Sequence, residues 1–202
     1  MIASTQTERR RSSISFVTLL AWMLASLFFS RQAAAEQHLQ IDPASSEVHF
    51  ALTDTLHAVN GIFHVTSGSI SFDPASGAAS GQIVVDAGSG SSDSKARDRK
   101  MTEDEMKARL FPTVTFAPSR ITGTIAETGD STVQVAGQFT LVGTAHAITV
   151  PMTLHRQGTH CTASGSFPVP YVDWGMKDPS LLFLRVGKIV TIQLKLVGSI
   201  LE

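Results

Sequence analysis

Apolar and polar residues alternate along most of the chain, and residues 57–73 show both this alternation and a break in it. Within this stretch, the apolar residues first occupy odd positions (Phe63 and Val65) and then even positions (Ile70 and Phe72). A period of two places alternate side chains on one face of a strand, and it changes parity only at a turn or a bulge. Since glycine tolerates either, the pattern predicts two strand segments bent at Gly68.

The same period recurs up to the end of the chain. The alternation predicts strands at 38–42, 46–53, 82–86, 113–116, 120–125, 133–141, 148–154, 162–171 and 190–196. Helices are almost lacking from the pattern, whereas a parallel sheet needs a crossover helix at nearly every step. The sequence therefore predicts an all-β fold of about eight half-buried antiparallel strands. A closed up-and-down barrel, which leaves no exposed edge, is favoured over the sandwich that the same strand count permits.

One short helix is predicted at 103–110. Thr102 and Glu105 have the spacing of a capping box, and Phe111-Pro112 ends the helical pattern. Met106 and Leu110 give it a narrow apolar stripe, so we expect it to pack on the outside of the barrel.

Residues 1–35 have the pattern of a secretory signal peptide. A basic start at Arg9-Arg10-Arg11 precedes a 16-residue apolar run at 14–29, and Ala33-Ala34-Ala35 fits a cleavage site. The run is shorter than the roughly 20 residues of a spanning helix. We expect cleavage after Ala35 and a periplasmic or secreted domain at 36–202 with no transmembrane span, whereas the choice between Sec and twin-arginine export stays open.

The net charge of the expected mature domain bears on its partners. The leader carries four of the 16 basic residues and one of the 17 acidic ones, which leaves 12 and 16 and a net charge of −4. This balance gives no electrostatic reason to expect nucleic acid or an anionic membrane surface. Cys161 is the one cysteine, so no disulfide forms within the chain, and we interpret it as a bystander.

Several short motifs together resemble the YceI-like family of secreted, lipocalin-like proteins that bind polyisoprenoids. The motifs, in chain order, are Ile41-Asp42 with Ser46-x-Val48-x-Phe50, His57-x-Val59-x-Gly61-x-Phe63, Gly68-x-Ile70-x-Phe72-Asp73, Arg97-Asp98, Phe111 to Phe116, Val135-x-Gly137-x-Phe139-Thr140-Leu141-x-Gly143, and Pro151-x-Thr153-Leu154. The resemblance covers nearly the whole mature chain. Near the C-terminus, Asp173-Trp174-Gly175 fits the family, but Tyr171-Val172 stands where an arginine and an acidic residue are usual.

The resemblance implies an antiparallel barrel around a long apolar cavity, capped by the helix and often dimeric. The expected ligand is a prenyl quinone, a polyprenyl phosphate or another long-chain amphiphile. The residues expected to line its site are Phe50, Phe63, Phe72, Phe116, Phe139, Ile148, Met152 and Trp174. For the head group, we expect His57 or Arg97, although each could instead hold a loop in place.

No catalytic or cofactor motif stands out in the chain. His57 with His64, and His155 with His160, have no third ligand at a zinc-like spacing, so no metal site is predicted. The chain contains no G-x-S-x-G nucleophile elbow, and the glycine-rich loop at 88–94 fits neither phosphate-binding fingerprint. We therefore predict a lipid carrier without enzymatic activity or cofactor. The alternative is a stress-response or interaction barrel that is packed solid and holds no lipid.

Overall fold

The computed structural model of the chain describes residues 36–53, 58–180 and 186–201. Ten strands lie within these residues: β1 (Gln37–Ile41), β2 (Glu47–Thr53), β3 (Ala58–Phe63), β4 (Val65–Phe72), β5 (Ala79–Asp86), β6 (Thr113–Thr122), β7 (Gly129–Leu141), β8 (Thr144–Gln157), β9 (His160–Val169) and β10 (Val190–Leu201). Between β5 and β6 lies a short helix, α1 (Lys95–Lys100), which runs on into a π-helical turn, Met101–Glu105. The predicted signal peptide and His57 lie outside the described residues.

The strands form one closed antiparallel barrel. Eight of them follow one another around the ring in the order β1-β4-β5-β6-β7-β8-β9-β10, and β10 pairs with β1 to close it. β2 pairs with residues 191–195 of β10, which precede the residues 198–201 that pair with β1. β3 in turn pairs with β2. Closure leaves the ring without an exposed edge. The predicted all-β, lipocalin-like barrel is confirmed.

The chain runs up and down the barrel, which gives it two different ends. The β5–β6 connection with α1, the β7–β8 turn and residues 170–180 all follow strands that run the same way, and we call this the helix end. The hairpin turns after β4, β6 and β8 lie at the other end, the turn end. There the buried Arg156 donates from Nε to the Gly158 carbonyl at 2.9 Å and from Nη1 to the Gln37 side chain at 3.3 Å.

The parity change in β4 is caused by a bulge. Val65 lies opposite Val85 and Ser67 opposite Val84, so Thr66 is the extra residue. Alternate side chains on both sides of the bulge can then be buried. The predicted bend at Gly68 is wrong in position, because Gly68 stays in register within the strand. A Cβ there would lie 2.7 Å from Cγ1 of Ile41, so the glycine makes room for that side chain.

A second bulge explains why β6 is one strand and not the predicted two. The pairing with β7 shifts register between Pro118 and Arg120, which leaves Ser119 as the extra residue. Val114 is therefore buried at an even position, whereas Ile121 packs against the core from an odd one. The sequence shows this change of parity, but a bulge and a break between strands look alike in a pattern of period two.

The predicted helix at 103–110 is wrong in position. α1 begins after Ser94, whose hydroxyl oxygen accepts a hydrogen bond from the Arg97 N–H at 3.4 Å. Thr102 lies within the helical segment and its hydroxyl donates to the Asp98 carbonyl at 2.9 Å, so it does not cap a helix. The segment cannot continue as a helix because Lys107 has a φ of 50°.

The inward-facing apolar side chains of the strands around the barrel form one common core. β8 shows this most regularly, since Val150, Met152 and Leu154 are buried while the residues between them are exposed. β9 continues past Gly165, which pairs with Met152 as its last partner on β8, and the final residues of β9 pair with β10 alone. Within the described part of the chain, no helix is long and apolar enough to cross a bilayer.

Candidate lipid-binding site

The barrel encloses a cavity of about 480 Å³, to which all ten strands contribute side chains. This volume falls within the range of roughly 300 to 1,000 Å³ typical of small-molecule sites. Almost the whole wall is hydrocarbon. The polar side chains in it are Arg97, Lys100, Glu105, Thr115 and Tyr171. Three of these belong to α1 and its π-helical turn, so the polarity of the cavity is concentrated at the helix end.

Six of the eight residues predicted to contact ligand lie in the wall of this cavity: Phe50, Phe63, Phe72, Phe116, Phe139 and Met152. Ile148 and Trp174 are not part of the wall, although both pack against the core. Ile148 lies on β8 between Val150 and the β7–β8 turn at the helix end. The structure thus places most of the set around one space, and contact with a ligand stays a prediction for each member.

Four of the phenylalanines in the wall pack against one another in two pairs. The ring centroids of Phe50 and Phe63 are 5.4 Å apart, and those of Phe139 and Phe167 are 5.5 Å apart in an edge-to-face arrangement. Such contacts favour fixed ring positions beyond the gain from burial alone. The phenylalanines therefore give the cavity a defined apolar wall.

Arg97 lies in the cavity wall, but its guanidinium is already engaged. Nη2 forms an ion pair with the Asp93 carboxylate, and Nε donates to the Ser92 hydroxyl at 3.1 Å. Asp98 accepts hydrogen bonds from the Ser92 N–H at 2.9 Å and from its hydroxyl at 2.5 Å. Arg97 and Asp98 thus hold the loop against α1, which for Arg97 is the alternative role that the sequence leaves open. A head-group role for Arg97 or for His57 stays a prediction.

A second pocket, of about 390 Å³, shares part of the first cavity's wall at the helix end. Glu105, Leu141 and Met176 line both spaces. His146 and Trp174 line the second pocket, and their rings are stacked with centroids 3.9 Å apart and planes at 7°. Trp174 is also 5.9 Å from Phe139, which connects this stack to the wall of the first cavity.

Two side chains that line the second pocket have buried polar atoms without hydrogen-bond partners among the described residues. Neither carboxyl oxygen of Glu105 nor Nε2 of His146 is exposed to solvent, and none of the three atoms has a partner among the described residues. Burial raises the pKa of Glu105, and the positive charges of Lys100 and Lys177 offset this only in part. Buried polar atoms in native proteins are nearly always paired with protein groups or ordered water, so these three atoms are available to pair with solvent or with a ligand.

Sequence reasoning did not find this pair. Glu105 looks like a surface residue because a glutamate in a short polar helix is normally exposed. His146 carries a usable signal, because it has the same parity as Ile148, Val150, Met152 and Leu154 on β8 and therefore faces inward.

Tyr171 completes the polar part of the wall. Its hydroxyl donates to the Gly187 carbonyl at 2.8 Å, which links the end of β9 to the segment before β10. Burial raises the pKa of Tyr171, and the negative charges of Asp178 and Glu105 raise it further. The phenol is therefore a neutral group that helps to hold the connection across the helix end.

Within the described ranges, no group of three His, Cys, Asp or Glu side chains is placed to hold a metal ion. His155 is one of the four histidines considered for zinc, and its Nδ1 lies 2.6 Å from the Oδ1 atom of Asp130 in an exposed contact. Cys161 is buried in the core, and burial raises the pKa of its thiol.

Fold and cavity define the class of protein: a lipocalin-like barrel with an apolar interior and with polar side chains from α1 and its π-helical turn at one end. The chain belongs to the YceI-like family, whose domain profile matches residues 39–198. A comparison with curated protein sequences finds no significant match.

Solved structures share this fold. BcnA from Burkholderia cenocepacia superposes with a TM-score of 0.62 at 27% identity, over 78% of this chain and 98% of its own. A polyisoprenoid binding domain from Saccharophagus degradans gives 0.61 at 16% identity, over 80% and 97%. A YceI protein from Campylobacter jejuni gives 0.52 at 17%, over 66% and 80%.

Proposed function

We propose that the protein is a periplasmic carrier that holds a polyisoprenoid, or another long-chain amphiphilic lipid, inside the barrel. The observation that supports this most strongly is the cavity itself, about 480 Å³ of space with a hydrocarbon wall and polar groups at one end. An amphiphile has the same distribution of polarity. The alternative of a solid interior predicts no such space.

The binding energy comes from removing the hydrocarbon tail from water. Each Å² of apolar surface buried contributes about 25 cal/mol, and the tail needs no specific polar partner to gain it. The phenylalanine pairs keep the wall in place before ligand enters, which lowers the ordering cost of binding. No residue has to react with the ligand, so the proposed role is binding and transport without catalysis.

The comparisons and the sequence support two further parts of the proposal. The Saccharophagus degradans domain, which shares the barrel, is described as polyisoprenoid binding, and its likeness to this chain is one of fold. The basic start and apolar run of residues 1–35 support export to the periplasm, where a carrier could move lipid between membranes.

Native mass spectrometry of the protein as purified tests the proposal. We expect a population whose added mass matches a long-chain lipid that organic extraction then recovers. Addition of an isoprenoid hydrocarbon to extracted protein is expected to raise the thermal unfolding midpoint, because a ligand of the folded state stabilises it. Repeated recovery of no lipid, together with an unchanged midpoint, would overturn the carrier role.

A further inference from the structure

We propose that Glu105 and His146 form the binding site for the ligand's head group, and that this group is an uncharged hydroxyl, as in a prenol or a phenol, rather than a phosphate. The inference deepens the carrier function and rests on it. It places the head group at the boundary between the barrel cavity and the second pocket, away from the engaged guanidinium of Arg97.

The position of Glu105 meets the geometric requirement for such a site. The residue lies at the end of the π-helical turn, and its side chain lines both the apolar cavity and the second pocket. A tail in the cavity can therefore continue into a polar head in contact with this carboxyl group. π-Helical turns within helices are often found at functional sites.

The unpaired atoms indicate the kind of head group. The two oxygens of Glu105 accept hydrogen bonds when the carboxyl is ionised, and Nε2 of His146 can donate one. A hydroxyl group both donates and accepts, so it can pair with the carboxylate and the imidazole together. Trp174 stacks on His146 and fixes the ring plane, which orients Nε2 before the ligand arrives.

The position of the head group at Glu105 disfavours a phosphate. Lys100, Lys107 and Lys177 surround this carboxyl group, but all three lysines are exposed, so solvent screens their positive charges. When the Glu105 carboxyl group is ionised, a phosphate placed against its solvent-shielded oxygens would meet a like charge that water screens poorly. Arg97, the planar cation best suited to a phosphate, already pairs with Asp93.

Three probe ligands separate the tail from the head: an isoprenoid hydrocarbon without a head group, a long-chain prenol, and the monophosphate of that prenol. Binding to the full-length mature protein is measured for the unsubstituted chain, Glu105→Leu, Glu105→Gln and His146→Phe. Glu103→Gln is the matched control, because Glu103 is exposed on the same turn and lines neither space.

The unsubstituted protein is expected to bind the prenol more tightly than its phosphate. Glu105→Leu should weaken the prenol about tenfold, the size expected for a hydrogen bond to a charged group, and leave the hydrocarbon unchanged. His146→Phe keeps a ring against Trp174 and should weaken the prenol alone. Glu105→Gln should improve binding of the phosphate, and Glu103→Gln should change none of the three.

Two results would overturn the head-group site while the carrier function stands. The first is that Glu105→Leu binds the prenol as tightly as the unsubstituted protein does, while both still bind the hydrocarbon. The second is that the unsubstituted protein binds the phosphate more tightly than the prenol. Failure of all three ligands to bind would overturn both proposals. Thermal unfolding controls for folding, and Glu105→Leu is expected to be at least as stable as the unsubstituted protein, because it removes a buried unpaired carboxyl group.

Discussion

The indole of Trp174 lies flat on the imidazole of His146, with ring centroids 3.9 Å apart and an angle of 7° between the planes. The contact joins the segment after β9 to the start of β8, so it fixes one side of the helix end. It also sets the orientation of a histidine whose Nε2 has no partner among the described residues. The stacked pair therefore contributes both to the packing of the helix end and to the proposed head-group site.

Trp174→Ala is expected to lower the free energy of unfolding by about 2 kcal/mol. The change loses the stack, the contact with Phe139 and part of the apolar burial of the indole. Trp174→Phe should lose less than half as much, because a ring stays against His146. Urea unfolding followed by circular dichroism measures both, and equal losses would show that ring stacking contributes nothing.

Val150→Phe is expected to abolish binding of an isoprenoid hydrocarbon. Val150 is buried on β8 and lines the cavity, so the added ring atoms occupy the space proposed for the tail. The cost in stability should stay within about 2 kcal/mol, because the ring enters existing space. Thr149→Phe, at the exposed neighbouring position, is the matched control and should bind normally. Normal binding by Val150→Phe would place the ligand elsewhere.

Gly61→Ala is expected to destabilise the protein by about 1 to 3 kcal/mol through overpacking. A Cβ at this position would lie 2.5 Å from the ring of Phe50 and within 2.4 Å of the Ser91 carbonyl oxygen. Gly158→Asn tests a glycine in open space whose φ of 62° suits asparagine, and it should be nearly neutral. If Phe50→Leu does not relieve part of the Gly61→Ala loss in a double-mutant cycle, the clash with the ring is not the cause.

Asp73 is expected to stabilise the turn after β4 at neutral pH and not in acid. Its carboxylate accepts hydrogen bonds from the Ser76 hydroxyl at 2.6 Å and the Ala75 N–H at 2.8 Å, and these, the hydroxyl first, hold the pKa of Asp73 below its ordinary value of 3.8. A lowered pKa contributes stability above the ordinary value, and the contribution is lost as the pH falls through the folded-state value.

Thermal unfolding of Asp73→Ala against pH tests this. Its midpoint should lie below that of the unsubstituted protein at neutral pH, and the difference should shrink as the pH falls below 3.8. Ser76→Ala removes the larger cause and should show the same trend with a smaller difference. A constant difference at all pH values would mean that the charge has no part in the turn's stability.

Cys161 is expected to resist thiol reagents in the folded protein. The side chain is 2% exposed and burial raises the pKa of the thiol, so little reactive thiolate is present. Its reaction with a coloured disulfide reagent should follow the rate of opening of the barrel and slow down when hydrocarbon is bound. Rapid labelling of native protein would contradict this burial.

The fold could be predicted because, in most strands, the alternation of apolar and polar residues shows which positions face inward and which face outward. β8 shows this from His146 to Leu154. The bulges at Thr66 and Ser119 were visible as changes of parity, but the sequence does not say whether a strand bends, breaks or bulges there. The helix was misplaced because the Thr102–Glu105 spacing fits a capping box, whereas Ser94, in a serine-rich loop, is the residue that caps.

The site was predicted less well than the fold. Phenylalanines at inward positions indicate a cavity wall, yet periodicity cannot show that Trp174 turns away to stack on His146. Glu105 escaped prediction for a similar reason, since its environment is made by residues distant in sequence, such as Leu141 and Met176. Burial of a polar group is a property of the assembled barrel and has no local pattern.

The pairing of β10 with three other strands determines when the barrel can close during synthesis. This strand, the last in chain order, pairs with β9, β2 and β1, so the ring has no closed form until residues 190–201 have emerged from the ribosome. Contacts between the two ends of a sequence form slowly, because a long loop must close first. A chain that lacks β10 therefore has no closed ring, and the cavity that the ring encloses exists only once this strand is in place.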